Sequence, residues 1–527
     1  MAMSWTAQLL ALTFITAGLL LYRIAQGRPH DGIWDTIDTV GVSRRGGRMS
    51  WALAILRSVT SMQANMREGY KKFSKAGKPF ALPNMWVGGA LVVLPPSMLN
   101  LLNRPREELS SFEALLENIQ FQYLMSDKDV WANTIHFDVV RRNLTQKGMS
   151  AMGGVIAEEW DGAFRACWGD SREGKVVNAW DSMVSIIERA ALRILVGLPG
   201  CRDEKYIELA KLYANAVLVD ACFINCMPPV LRPVGGRLLG LRAKYYQHKL
   251  LKIVIPMVKE RMRECEENGG QCDGPSDAIQ WLLPIARENG PEQMAPNKIA
   301  MRVLALTPMF VFATGYVFTH AVLDAYCAAP EDNIVDALRA ECLRVSTQHR
   351  GLSTKEAIDA LYTVDSAVRE SMRLNDVMVD LLPLDVVSGK GIDLGDGRII
   401  APGSGVRTVF PAQMVHRDPD IYPDPDRFDA FRFSREFKSS QQEAEPRPAS
   451  TRQLMTTVTK TFLPFGYGRH TCPGRWLVAY MVKQALSHVL LNYDVEIIKR
   501  PGERASILNM MAPQNAEMLV TLKRQDR

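Results

Sequence analysis

The stretch FLPFGYGRHTCPGRW, residues 462–476, constrains this chain more than any other segment of similar length. It seats one cysteine, Cys472, among Gly466, Gly468 and Gly474, with Pro473 at the exit into an apolar, helix-forming run. A thiolate acting as the only protein ligand of a metal needs a fixed direction, distance from a second sulfur and donors for its charge. Glycines permit tight turns in which backbone N–H groups point at the sulfur, and Pro473 stiffens the way into the helix. Phe465 supplies an apolar lid. That combination suits an iron held by one cysteine thiolate, which pushes electron density onto the metal and favours O–O cleavage. The competing reading is a glycine-rich loop with an incidental buried cysteine. For a lone Cys taken by itself, that reading is the better one.

Nine cysteines is an odd number, their spacing is irregular, and a chain of this length has no need of disulfide staples. Most of the thiols are therefore expected to be reduced and packed. Cys222 and Cys226 sit four apart on an expected helix, but no nearby pair of His or Cys completes a zinc site. At the N-terminus, WTAQLLALTFITAGLLLY, residues 5–22, is an uncharged run that makes a helix of about 27 Å, close to the thickness of a hydrocarbon core. Trp5 and Tyr22 stand at its ends, no Lys or Arg precedes it, and Arg23 and Arg28 follow. By the positive-inside rule the rest of the chain faces the cytosol. A cleaved signal peptide would carry a basic leading region and a small-residue cleavage site, and neither is evident. The division that follows is a membrane anchor over 1–28 and one catalytic domain over 29–527, with no repeat, Gly/Ser linker or long charge block to split it. A hydrophobic share of 47% is enough for one large core, and a net charge of +6 from 63 basic and 57 acidic residues argues against a nucleic-acid partner.

The periodicity predicts helices over 52–77, 130–145, 153–168, 180–196, 203–222, 238–267, 297–328, 331–345, 354–373 and 475–492, with β-like stretches near 85–94, 383–400 and 516–523. The fold class is mainly α with small β-sheets. The Pro-dense interval from Pro402 to Pro425 reads as an ordered meander, and the polar run EFKSSQQEAEPRPASTRQ after it as a flexible surface loop.

The segment Phe465 to Gly474 resembles the haem-binding signature of the cytochrome P450 family, Phe-x-x-Gly-x-Arg-x-Cys-x-Gly, with His470 at the usual arginine position. Upstream, Glu370-Ser-Met-Arg373 is similar to the family's Glu-x-x-Arg helix. Phe428-Asp-Ala-Phe-Arg432-Phe433 is similar to its Phe-x-Pro-Glu-Arg-Phe segment. A Glu and an Arg three apart are by themselves only a helix-surface pair. In this order they look like the family's buried Glu370–Arg373–Arg432 triad, which locks the meander to the haem-bearing core. The resemblance covers nearly the whole chain and is nearest to the fungal secondary-metabolism branch, including kaurene-oxidase-like enzymes.

The resemblance implies a single P450 domain behind an N-terminal transmembrane helix, in the endoplasmic reticulum membrane with its catalytic domain cytosolic. It implies haem b with Cys472 as axial thiolate, and Phe465, Gly468, His470 and Gly474 around the cofactor. Phe137 and Arg141 have the spacing of the family's Trp-x-x-x-Arg helix, which makes Arg141 a propionate candidate beside His470, against a solvated Arg141–Arg142 pair. No flavin or nicotinamide fingerprint occurs in the chain, so electrons come from NADPH through a separate cytochrome P450 reductase.

Two departures stand against these matches. The helix near 300–325 should carry an acid and an alcohol that relay protons during oxygen activation. It reads PMFVFATGYVFTHAV, which puts Thr314 at the alcohol and Phe312 and Ala313 where the acid belongs, with Thr319 and His320 about a turn later. In LNDVMVDLLPLDVVSGKGIDLGDG, where the family often has a propionate-binding arginine, there is none, and Asp385 stands near that place. Segments 110–128, 215–235, 308–319, 377–384 and 507–514 should line the pocket. They are rich in Phe, Met, Leu and Val, which fits a hydrophobic terpenoid or meroterpenoid. The expected reaction is monooxygenation of such a secondary-metabolite intermediate. The alternatives are cyclisation, desaturation, oxidative coupling or rearrangement at the same haem, and a haem-binding scaffold without catalysis.

Overall fold

The computed structural model describes residues 36–42, 47–85, 89–227, 231–272, 274–395, 397–435 and 453–523. The anchor expected over 5–22 and all but the last residue of the polar run lie outside them. The architecture is helical with four small sheets. Helices Ala179–Leu195, Pro296–Cys327, Tyr362–Leu374 and Arg475–Asn492 are the most buried, and they pack around one apolar core. Pro296–Cys327 is long and apolar enough to cross a bilayer, yet its side chains are covered by the other helices. It is therefore the central beam of the domain.

Arg475–Asn492 is apolar nearly all round, as a fully enclosed helix must be. Its one buried cation, Lys483, pairs with buried Asp365 of Tyr362–Leu374 at 3.2 Å. A five-stranded sheet runs in the order Phe80–Asn84, Gly89–Val93, Thr408–Phe410, Leu381–Val386, Leu109–Ser110. Gly89–Val93 and Thr408–Phe410 are parallel and the other pairings antiparallel. The β-like stretch expected near 85–94 contains Gly89–Val93, the second of two fully buried antiparallel strands. Within Leu381–Val386 the register slips at Leu382, which adopts φ +60°. This irregularity brings the Leu382 side chain against the backbone of Gly466, in the cysteine loop.

Three readings of local pattern need correction. The helix expected over 354–373 is two helices, Lys355–Asp359 and Tyr362–Leu374, and that expected over 130–145 is also two, Lys128–Ala132 and His136–Asn143. A strand at Lys175–Asn178, absent from the periodicity, joins Glu517–Leu522 and Tyr493–Lys499 in a three-stranded sheet. Cys265 and Cys272 are paired as a disulfide between the end of Arg232–Glu267 and the loop after it. The other seven thiols are free, as expected for most of them.

Candidate active site

The loop carrying Cys472 is wound by short-range backbone bonds. Gly466 N–H donates to the Leu463 carbonyl at 2.8 Å, Cys472 N–H to the Phe465 carbonyl at 2.7 Å, and Gly468–His470 forms a tight 3-10 turn. Two of its glycines are required. Gly466 has φ +80° and a Cβ there would lie 2.8 Å from the His470 carbonyl oxygen. Gly468 has φ +59° and a Cβ would lie 2.6 Å from Asn103 Oδ1 and 2.8 Å from the Leu102 carbonyl. Gly474 differs from the sequence reading. Its φ is −82°, and a Cβ would make only ordinary contacts, 3.6 Å from Val140 and 3.9 Å from the Cys472 sulfur.

Burial pushes the Cys472 thiol up, while the backbone N–H groups of Gly474 and Arg475 and the Arg475 guanidinium oppose that shift. Those amides belong to the first turn of Arg475–Asn492, where the helix dipole favours a negative atom. The half-buried sulfur thus has polar neighbours that favour its anion. A cation at the sulfur is the natural complement of that arrangement.

Around the loop lie an imidazole and several arginine side chains. His470 has a buried Nε2 without a partner among the described residues, and burial together with nearby Arg106 holds its pKa low. Burial and Arg141 lower Arg106, whose Nη2 donates to the Arg469 carbonyl at 3.1 Å. Arg141 itself pairs with Asp138 at 2.9 Å on the partly exposed side of its helix. Arg475 donates to the Cys472 carbonyl at 3.0 Å and leaves its Nε buried and without a partner among the described residues. His470, Arg106 and Arg141 form one group that suits the carboxylates of a porphyrin. Arg106 was not singled out from sequence, because nothing local in NRPREELS distinguishes it from a surface arginine.

The distal side is built by Pro296–Cys327. Met309–Ala313 is a π-helical insertion, a feature that often marks functional sites, and Thr314 is the first residue of the α-helix that resumes after it. Although this helix is largely enclosed, Ala313 is exposed and Met309, Phe310, Phe312 and Val317 are only partly covered. These partly open apolar side chains and the thiol-bearing loop suit a flat apolar cofactor with acidic edges.

Thr314 is 2% exposed and makes no side-chain hydrogen bond among the described residues. Thr319 donates to the Gly315 carbonyl at 2.8 Å. His320 is also committed. Its Nδ1 faces the Tyr316 carbonyl at 2.8 Å and its Nε2 accepts from the Gln514 N–H at 3.2 Å, so Nδ1 carries the hydrogen. Burial holds this imidazole neutral, with its pKa lowered to about 3.

The three residues expected to lock the meander do meet. Arg373 Nε and Nη2 each donate to Glu370 at 2.8 Å, with both side chains fully buried, and Arg432 Nε reaches the same carboxylate at 3.0 Å. Arg373 further donates to the carbonyls of His416 and Pro425, and Arg432 to that of Pro423. Asp385, which stands where the family often has a basic residue, belongs to the sheet. It accepts from Arg407 at 2.8 and 2.6 Å, and Arg407 also pairs with Glu117 at 2.9 Å.

A family model described as Cytochrome P450 matches residues 178–520. The chain is 32% identical over 529 residues to cytochrome P450 monooxygenase htyF of Aspergillus rugulosus, an alignment covering 97% of this chain and 76% of that one. It is 30% identical to cytochrome P450 monooxygenase gloP of Glarea lozoyensis, covering 94% of this chain and 92% of the relative. In fold it resembles the crystal structure of the cytochrome P450DA heme domain, with a TM-score of 0.65 over 93% of this chain and 98% of that chain at 14% identity.

Proposed function

The chain belongs to the cytochrome P450 family, and from that premise we propose that it oxidises a hydrophobic secondary-metabolite intermediate, a terpenoid or meroterpenoid, with Cys472 as the axial thiolate of its haem. As a cytochrome P450 it is a haem-thiolate monooxygenase, and the cofactor, once bound, supplies oxygen activation. The observation that carries the assignment of Cys472 is its sulfur: half-buried, directed by a glycine-wound loop, and faced by two amides and a guanidinium. His470, Arg106 and Arg141 hold the propionates, and Phe465 covers the apolar edge. Thr314, with an uncommitted hydroxyl, holds or passes a proton on the distal side. Pocket side chains such as Phe310, Phe312 and Met309 exclude water and orient an apolar substrate.

The same reading places a membrane anchor in 1–28 and the catalytic domain in 29–527, cytosolic at the endoplasmic reticulum and reduced by an NADPH-dependent reductase. A second outcome, cyclisation, desaturation, coupling or rearrangement without oxygen insertion, is favoured by the absence of Asp and Glu from residues 302–322, where a relay acid is expected. Reduced protein under carbon monoxide should show the red-shifted Soret band of thiolate ligation, and Cys472→Ser should remove it. Persistence of the band in that variant refutes the ligand assignment. Turnover in labelled dioxygen separates insertion, which labels the product, from the second outcome, which does not.

A further inference from the structure

His416 closes the short helix Ala412–His416 in the Pro-dense interval, and it is completely buried. Both ring nitrogens are engaged. Nε2 accepts the backbone N–H of Leu463 at 2.9 Å and so carries no hydrogen. Nδ1 must then carry one, which it gives to Asp376 Oδ1 at 2.8 Å. Asp376 follows the Glu370–Arg373 helix closely, is 2% exposed, and its Oδ2 has no partner among the described residues. The carboxylate therefore serves the imidazole. The Asp376 carbonyl accepts from the Tyr316 hydroxyl at 2.9 Å, and Tyr316 lies two residues beyond Thr314 on the distal helix.

At the other end, Leu463 opens the cysteine loop. Its carbonyl holds the Gly466 N–H, and the Phe465 carbonyl holds the Cys472 N–H. A run of hydrogen bonds, Tyr316 to Asp376 to His416 to Leu463, thus joins the helix that carries Thr314 to the segment from which Cys472 hangs. His416 opens the stretch HRDPDIYPDPDRFDAFRF, which resembles the fungal secondary-metabolism branch, but its link to Leu463, 47 residues on, is not written locally.

We propose that His416 is a positioning residue for Cys472, held by Asp376 in the tautomer that accepts the Leu463 N–H, so that the pair sets where the sulfur stands relative to the amides of Gly474 and Arg475. The inference rests on Cys472 being the haem ligand. A residue that only fills space can be replaced by another of its volume, whereas this role needs an acceptor at the place of Nε2 and, for histidine, an acceptor facing Nδ1. Sulfur–amide geometry governs thiolate character and the potential of the iron it binds.

The test uses the haem-loaded full chain, reading the Soret band of the reduced carbon monoxide complex, the reduction potential and the melting temperature. His416→Leu and Asp376→Leu should each cause a several-fold fall in the fraction of thiolate-type complex. Asp376→Asn, which still presents an oxygen to Nδ1–H, should keep the parent spectrum and potential. If the leucine variants do not retain haem, His416→Gln and His416→Asn decide. Glutamine is long enough to bring its oxygen to the position of Nε2 and should preserve the potential, whereas asparagine falls short and should shift it. Equal potentials in the glutamine and asparagine variants, or leucine variants that lower only the melting temperature, overturn the proposal. Retention of the thiolate band in Cys472→Ser would instead refute the ligand assignment beneath it.

Discussion

Thr314 and Thr319 are separated by little more than one helical turn, and what decides between them is what each hydroxyl already holds. Thr319 donates to the carbonyl one turn back, the usual fate of a threonine in a helix interior, whereas Thr314 has no such bond. Thr314→Ala should therefore raise the hydrogen peroxide released per NADPH consumed, and Thr319→Ala should leave that ratio unchanged while altering stability slightly. Equal uncoupling in the two variants would move the relay elsewhere. At this scale the sequence is legible wherever a role is local. Cys472, Gly466 and Gly468 announce themselves because turn chemistry is written in adjacent residues. Glu370, Arg373 and Arg432 are legible through their order, and they converge as expected. Arg106 and His416 are not, since their partners lie 363 and 47 positions away in the chain. Gly474 was given a conformational need that its φ of −82° does not bear out.

Element boundaries fail to be legible for a related reason. The segment 354–373 has an unbroken helical pattern with no Gly or Pro, yet it divides at Ala360–Leu361. Thr354 caps the first helix locally, its hydroxyl accepting from Ala357 N–H at 3.3 Å. The second is capped from another helix: the buried Glu341 carboxylate accepts the N–H groups of Thr363 and Val364 at 2.9 Å. Such a cap leaves no mark in the segment it terminates. Glu341→Ala should cost about 1–2 kcal/mol, the usual worth of a lost cap, and chemical denaturation should show a lower midpoint with an unchanged slope. Because the capped helix carries Glu370 and Arg373, haem content should fall with it. A second contact between elements is set by missing side chains. In Arg232–Glu267, a Cβ at Gly240 would lie 2.3 Å from the Tyr123 carbonyl, and one at Gly236 would lie 2.9 Å from the Tyr123 ring. Gly240→Val must push this helix off Phe121–Leu124, so it should lower the melting temperature and speed ligand entry, whereas Gly502→Val, with open space around it and no left-handed backbone, should do neither.

Across the whole molecule, the buried ionisable groups set how stability depends on pH. Burial raises Glu188 to about 8, with both carboxylate oxygens unpartnered among the described residues and only Lys211 opposing the shift. Burial likewise raises Asp324 to about 7, against hydrogen bonds from Ser371 and Asn375, and Asp380 to about 7, against one from Asn509. On the other side, burial lowers His136 and His320 to about 3 and His488 to about 4, with Arg302 adding to the effect at His136. From about pH 4 to about pH 8 the folded chain keeps protons on the three acids that the unfolded chain has released, so these groups make stability fall as pH rises. From about pH 3 to about pH 6.5 the unfolded chain takes up protons at histidines that the fold keeps neutral, so these groups make stability rise with pH. The two trends oppose one another between about pH 4 and 6.5, and above that only the acids remain. The melting temperature should accordingly be highest on the mildly acidic side of neutrality and decline toward pH 8. Glu188→Gln keeps the neutral form of that site at every pH, so its stabilisation should be negligible near pH 4.5 and grow steadily up to pH 8, where the parent bears the full cost of the buried charge. Melting curves of the two proteins over that range check the argument. A gain that is equal at both ends would mean that packing, and not ionisation, governs the site.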